Sequence, residues 1–215
     1  MMSLIPDEHR EHVKNELAEN LVNPVRLIMF TQQLECQLCL QTKQLVTEIA
    51  GLNDKVQAEV HDFVADAELA KQFGVDKIPA VVLVGRRDYG VRLYGLPYGY
   101  EFQTLMSALK VVSRGTTDLS EETKLKLQTV RTPVHIQVFV TLTCPHCPAA
   151  ASMAHKFAIE NELIKADVID AGEFPQLASK YGVMGVPKII INEQIELVGA
   201  VPENIFLDHV LLAAR

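Results

Sequence analysis

Cysteine is scarce in this sequence, four residues in 215, and in an intracellular chain so few seldom form structural disulfides, because cytosolic thiol pools reduce them. Positive charge is also short: 20 Lys and Arg stand against 27 Asp and Glu, giving a net charge of −7 and an isoelectric point near 5.5. With no Lys/Arg-rich cluster to offset that balance, the composition argues against nucleic acid as a partner. Long apolar runs are missing too. None approaches the roughly 20 residues that a membrane-spanning helix needs, and Met1 to Arg10 lacks a basic segment followed by an apolar one. The expectation is a cytoplasmic protein that engages neither membrane nor nucleic acid.

What is present suits an ordinary globular protein: 48% hydrophobic and 22% charged residues, over a length that makes one large domain or two small ones. All four cysteines fall into two Cys-x-x-Cys pairs, Cys36/Cys39 and Cys144/Cys147. That arrangement leaves two readings, redox catalysis or a four-cysteine zinc site.

The second pair, in Thr143-Cys144-Pro145-His146-Cys147-Pro148, follows the apolar run Val134 to Val140. A strand that delivers two cysteines to the first turn of a helix is a redox device. At i and i+3 the sulfurs fall on one side of a single turn and can close a small disulfide ring. The helix N-terminus supplies partial positive charge and free N–H donors that favour thiolate. Pro145 and Pro148 cost little there, because first-turn N–H groups lack intrahelical partners anyway. His146, between the cysteines, adds a nearby positive charge when protonated. Cys36 and Cys39 instead enclose uncharged Gln37 and Leu38, and Glu35 precedes them with a charge that disfavours thiolate. A more stable thiolate makes the disulfide a better oxidant, so the second pair is expected to be the more oxidising.

In chain order the sequence reads as two copies of one unit. A helix after Pro6 stops at Asn23-Pro24, and Val25 to Phe30 is a buried strand leading to Cys36. A helix from Gln37 to Leu52, a strand from Val56 to Phe63 and a short helix from Ala67 to Phe73 follow. A hairpin of Ala80 to Val84 and Tyr89 to Tyr94 turns at Arg86-Arg87-Asp88, and a helix from Phe102 to Val112 closes the unit. The second half repeats this with a helix at Ser120 to Val130, a strand from Val134 and a helix at Pro148 to Glu162. A strand at Ala166 to Asp170, a short helix at Phe174 to Tyr181, a hairpin of Lys188 to Asn192 and Glu196 to Val198, and a helix at Asn204 to Ala214 complete it. Cys36 precedes Pro79 by 43 positions, and Cys144 precedes Pro187 by the same 43. Phe73-Gly74-Val75-Asp76-Lys77-Ile78-Pro79 matches Tyr181-Gly182-Val183-Met184-Gly185-Val186-Pro187. This internal duplication predicts two units, 1–115 and 116–215, with the seam in Ser113 to Leu119.

Strand, Cys-x-x-Cys, helix, strand, helix, then Val/Ile-Pro entering a hairpin and a last helix resembles the thioredoxin fold: α/β, two tandem units, each a central mixed β-sheet flanked by helices. Over nearly its whole length the chain resembles the glutaredoxin-like protein disulfide oxidoreductases. It is also similar to the N-terminal tandem domain of the flavoprotein that reduces alkyl hydroperoxide reductase, through Gly95 to Phe102, Asp170-Ala171-Gly172-Glu173-Phe174 and Val183 to Pro187. In that relative the first unit has lost its cysteines, whereas Cys36 and Cys39 are present here.

The resemblance implies cis bonds before Pro79 and Pro187, prolines that lie against the cysteines and exclude metal, and strand addition of substrate to the backbone of Ile78 or Val186. It implies that Cys36 and Cys144 attack and that Cys39 and Cys147 resolve, with no organic cofactor. The strand position that holds a buried carboxylate in thioredoxins is apolar here, at Phe30 and Val138. Glu101 is a candidate substitute, since it falls in the segment shared with the hydroperoxide-reductase relative and could reach the second site across the unit boundary; the plainer reading is a solvated first-turn acid. For His146 the plainer reading is an exposed helix residue, and for His9, His12, His61 and His155 surface or packing roles. The function expected is reduction, oxidation and isomerisation of protein or peptide disulfides. The alternatives are an electron carrier between a thioredoxin-reductase-like flavoprotein and a peroxiredoxin, and a zinc-held interaction module without turnover.

Overall fold

The computed structural model describes residues 3–215; Met1 and Met2 lie outside the described residues. The first half comprises α1 (Asp7–Asn20), β1 (Val25–Thr31), α2 (Cys39–Ala50), β2 (Val56–Asp62), α3 (Ala67–Gln72), β3 (Ala80–Val84), β4 (Asp88–Tyr94) and α4 (Tyr100–Arg114). The second comprises α5 (Glu121–Leu127), β5 (Val134–Val140), α6 (Cys147–Glu160), β6 (Ile164–Asp170), α7 (Pro175–Lys180), β7 (Lys188–Ile191), β8 (Ile195–Val198) and α8 (Glu203–Ala213). Every element expected from the sequence is present, with most ends displaced by one or two residues. The local causes are visible. Asp7 and Glu8 complement the N-terminus of α1, and Ser120 Oγ caps α5 by accepting from the Thr123 amide. Gly115, at φ 69°, ends α4 in the left-handed conformation that costs glycine least.

All eight strands join one sheet in the order β2-β1-β3-β4-β6-β5-β7-β8. Each half repeats one pattern. β1 runs parallel to β2 and antiparallel to β3, which pairs antiparallel with β4; β5 stands in the same relations to β6, β7 and β8. The halves meet where β4 pairs in parallel with β6, from Val91↔Ala166 to Tyr94↔Ile169. A single large apolar core covers one face of this joint sheet, from Val13 and Leu17 of α1 to Phe206 and Val210 of α8. A smaller core, including Phe30, Phe139 and Tyr181, covers the other.

Between β4 and α4 the loop Gly95–Gly99 crosses onto the second half. The Leu96 amide donates to Glu173 Oε1 at 2.6 Å, and the Tyr100 amide donates to the Leu142 carbonyl at 3.0 Å. Gly99 precedes α4 at φ 59°, ψ −129°, and a Cβ there would collide with the Leu142 carbonyl. Gly99→Ala is therefore expected to lower unfolding free energy by about 1–3 kcal/mol in urea or guanidinium titration. A loss below about 0.5 kcal/mol, the scale of an ordinary surface substitution, would mean the loop is not locked against residue 142.

Candidate redox sites

Each cysteine pair lies where a buried strand gives way to a helix. Disulfides join Cys36 to Cys39 and Cys144 to Cys147, with Cα atoms 5.4 and 5.5 Å apart, inside the ordinary range for such bonds. Only the second cysteine of each pair is helical: α2 begins at Cys39 and α6 at Cys147. Cys36 and Cys144 occupy the turn before the helix, and so does Pro145, while Pro148 alone takes the first-turn position where its missing N–H is harmless. This corrects the expectation that both cysteines sit within the first turn. Cys39 and Cys147 are buried, Cys36 is half-buried, and Cys144 retains 7% exposure. His146 occupies the N-cap position of α6, exposed and without a side-chain capping hydrogen bond.

The predicted prolines are where the sequence suggested. Ile78-Pro79 and Val186-Pro187 are both cis, with the prolines buried and Ile78 and Val186 half-buried. Across the sheet, however, the halves are offset by one residue. Phe30 lies opposite Ala80 just after the first cis proline, and Phe139 lies opposite Lys188 just after the second. The structural counterpart of Phe30 is thus Phe139, not Val138, which matches Met29. One residue more separates strand from cysteine in the first half, and Glu35 adopts φ 58° in that longer loop. All four positions, Met29, Phe30, Val138 and Phe139, are fully buried and apolar, so neither strand supplies a carboxylate.

Glu101 is not a solvated acid. It lies in the first turn of α4 at 3% exposure. Burial pushes its pKa up to about 7, opposed by the Thr104 hydroxyl one turn on and aided by a smaller upward contribution from Asp170. The side chain lines a cavity of only about 10 Å³ together with Tyr94, Val140, Val168 and Asp170. α4 packs against α6, whose first residue is Cys147, and Val140 ends the strand that leads to Cys144. From the sequence, Asp170 and Glu173 stood out only as part of a shared segment; both are largely buried, and desolvation raises the pKa of each. His155, expected at the surface or in packing, proves fully buried on α6. Its two ring nitrogens have no side-chain partners, and burial lowers its pKa to about 4. The remaining histidines named from the sequence are exposed or partly exposed.

Among the described residues no group of three or more His, Cys, Asp or Glu side chains is placed to hold a metal ion. The two cysteine pairs follow β1 and β5, four strand positions apart in the sheet, or about 19 Å at the usual interstrand spacing. Four thiolates so separated cannot converge on one zinc. No helix among the described residues is long and apolar enough to cross a membrane.

Residues 134–212 match the thioredoxin domain family. The solved protein disulfide oxidoreductase of Aeropyrum pernix K1 is 32% identical and superposes with a TM-score of 0.92, covering 100% of this chain and 95% of that one. The chain belongs to the protein disulfide oxidoreductases. A thioredoxin of Methanocaldococcus jannaschii is 41% identical over 68 residues, 31% of this chain and 80% of that protein. The alkyl hydroperoxide reductase AhpF of Escherichia coli is 27% identical over 174 residues, 81% of this chain and 31% of that protein. The chain spans about 30% of the length of the longer curated relatives it matches.

The Glu101 environment sets a sign for stability against pH. Its folded pKa lies above its ordinary value, so between about 4.5 and 7 the folded state binds more protons than the unfolded chain, and stability falls as pH rises through that window. Glu101→Gln should remove this fall. The variant is expected to match wild type in guanidinium at pH 4 and to exceed it at pH 8 by at most about 3 kcal/mol. Parallel curves at both pH values would mean that the carboxyl is solvated. His155 works in the opposite sense, its contribution being present above about 6.5 and lost as pH falls toward 4.

Proposed function

We propose that this chain catalyses dithiol–disulfide exchange on protein disulfides, using the Cys36/Cys39 and Cys144/Cys147 pairs of two units divided at 115/116. The observation that carries the reading is the repeated geometry: a disulfide bridging a turn and a helix start, with a buried resolving cysteine and a cis proline at the facing strand. In the reducing direction the Cys144 thiolate attacks a substrate disulfide. It forms a mixed disulfide and releases one substrate thiolate. Cys147 then loses its proton and attacks Cys144 Sγ, forming the internal disulfide and releasing the second thiolate; oxidation of substrate is the reverse. Cys36 and Cys39 follow the same scheme, and the same chemistry shuffles disulfides when the second step is delayed. Every step is exchange at sulfur, so the electrons are balanced without an organic cofactor.

Substrate strands would add to the backbone beside the cis prolines. The carbonyls of Pro79 and Pro187 already accept from the Gly95 and Gly199 amides, at 2.9 and 2.8 Å, which leaves this pairing to Ile78 and Val186. Glu101 serves as proton acceptor for Cys147, since it is a buried carboxyl with a raised pKa on a helix packed against α6. Likeness to the alkyl hydroperoxide reductase AhpF favours a second reading, electron transfer from a flavoprotein to a peroxiredoxin through the second pair. A cytoplasmic location suits either reading.

The insulin reduction assay with dithiothreitol as donor separates them. Wild type should turn over, Cys144→Ser should remove most of the activity, and Cys36→Ser should remove less. An inert wild type would end the general oxidoreductase reading and leave the carrier. With each site isolated, the Cys144/Cys147 couple should be the more oxidising by tens of millivolts, His146→Ala narrowing the gap. Equal potentials, or the reverse order, would sink the assignment of roles.

A further inference from the structure

Glu101 takes up a proton in a place unlike bulk water, and a second carboxyl is built into the same place. The small cavity is lined by Leu93, Gly95, Leu96 and Val140 on its apolar sides and by Glu101 and Asp170 as its two acids. Asp170 is 6% exposed, and its Oδ1 accepts from the Gly172 amide at 2.7 Å and the Glu173 amide at 3.2 Å, which fixes the carboxyl at the end of β6. Gly95 leaves room for it: a Cβ there would lie 2.8 Å from Asp170 Cβ. A volume of about 10 Å³ is at the threshold for one water molecule, which could bridge the two acids.

We propose that Asp170 is the positioning residue of the second site's proton acceptor: across this cavity it shares one proton with Glu101, so that the pair, not Glu101 alone, receives the proton of Cys147. The inference rests on the reading of Glu101 as acceptor given above. The balance is simple. Cys147 S–H gives its proton to the fully ionised pair, which becomes singly protonated; its sulfur attacks Cys144 Sγ, the bond to the substrate sulfur breaks, and the departing thiolate is protonated by water. Two carboxyls in one water-poor space cannot both ionise readily, so one of them holds a proton near neutrality and titrates as a member of the pair. The other titratable groups nearby are Tyr94 of β4, which also lines the cavity, and Glu173 beyond β6, which meets Gly95 beside Asp170; His155 lies further along α6. Tyr94 stays un-ionised through burial, and His155 stays neutral above about pH 4. No cation lines the cavity among the described residues.

The test uses the full chain carrying Cys36→Ser and Cys39→Ser, so that only the second site reacts. The reduced protein is mixed with 5,5′-dithiobis(2-nitrobenzoate), and the second release of thionitrobenzoate reports the attack of Cys147 on Cys144. In the parent this rate should fall on the acid side of a limb near pH 7. Asp170→Asn keeps the oxygen that accepts from Gly172 and Glu173 but removes the charge, so the limb should move down by roughly one pH unit. Glu101→Gln should abolish the limb and slow the step on the order of a hundredfold at pH 8. If Glu101→Gln abolishes the limb while Asp170→Asn leaves it in place, the pair is overturned and Glu101 acts alone. If Glu101→Gln leaves the profile untouched, the acceptor reading fails and the pair with it. Asp170→Ser, whose hydroxyl still accepts from the Gly172 amide, replaces the Asn variant should that one not fold, with the same two outcomes.

Discussion

Pairing of β4 with β6 is the contact on which the rest of the structure depends. It makes one eight-stranded sheet from two four-stranded halves and removes two edges that would otherwise invite association. The pairing carries charges that a simple apolar seam would not need. Arg92 and Asp167 lie opposite each other in the register and are 3% and 1% exposed. Each has its own partners: Arg92 donates to Asp88 at 2.8 Å and to the Phe73 carbonyl at 3.0 Å, and Asp167 meets His135 at 2.7 Å. Buried charges so held add little net stability over an apolar substitute, but any slip in register would strand them. The seam is therefore specific in register, and the loop that follows β4 is delivered to one place on the second unit.

That delivery is directional. Both halves have the same internal strand order, so they join head to tail, with the last strand of one against the outer strand of the other. A two-fold junction would give each site the same foreign neighbour. Here the second unit receives the loop after β4: Leu96 and Tyr100 of the first unit are hydrogen-bonded to Glu173 and Leu142 of the second, and Glu101 follows them into the core. The surroundings of the two pairs thus differ in two ways, in the residues inside each Cys-x-x-Cys turn and in the asymmetry of the tandem join itself.

The fold was legible because its signals are local or periodic. Strand and helix periods, the Asn23-Pro24 and Thr132-Pro133 stops, and the matched distances from cysteine to proline each report on a few neighbouring residues. The four cysteines were legible for the same reason. What escaped is what depends on packing between distant segments. An acid in a first helical turn looks solvated, and only the crossing of β4 onto β6 buries Glu101. Asp170 reads only as the end of a strand and Glu173 as a loop acid until Gly95 is brought against both. The one-residue offset between the units escaped because counting back from each cysteine assumes equal loops. Phe30 and Phe139 share a place in the sheet, and the left-handed Glu35 lies in the loop with the additional residue.

The surroundings of the cysteine pairs follow from these placements. In both units the strand before the cysteines is buried and apolar at Met29, Phe30, Val138 and Phe139, so neither strand brings a carboxyl to its own pair. The buried carboxyl of Glu101 lies instead on α4, which packs against α6 of the second unit. β2, the first unit's counterpart of β6, is an edge strand with nothing beyond it in the sheet among the described residues. Cys36 is also more exposed than Cys144 and lies in the longer loop. Two identical spacings of cysteine thus acquire different surroundings from their order along one chain: an open turn in a longer loop for the first pair, and for the second a helix packed against the element that carries buried Glu101.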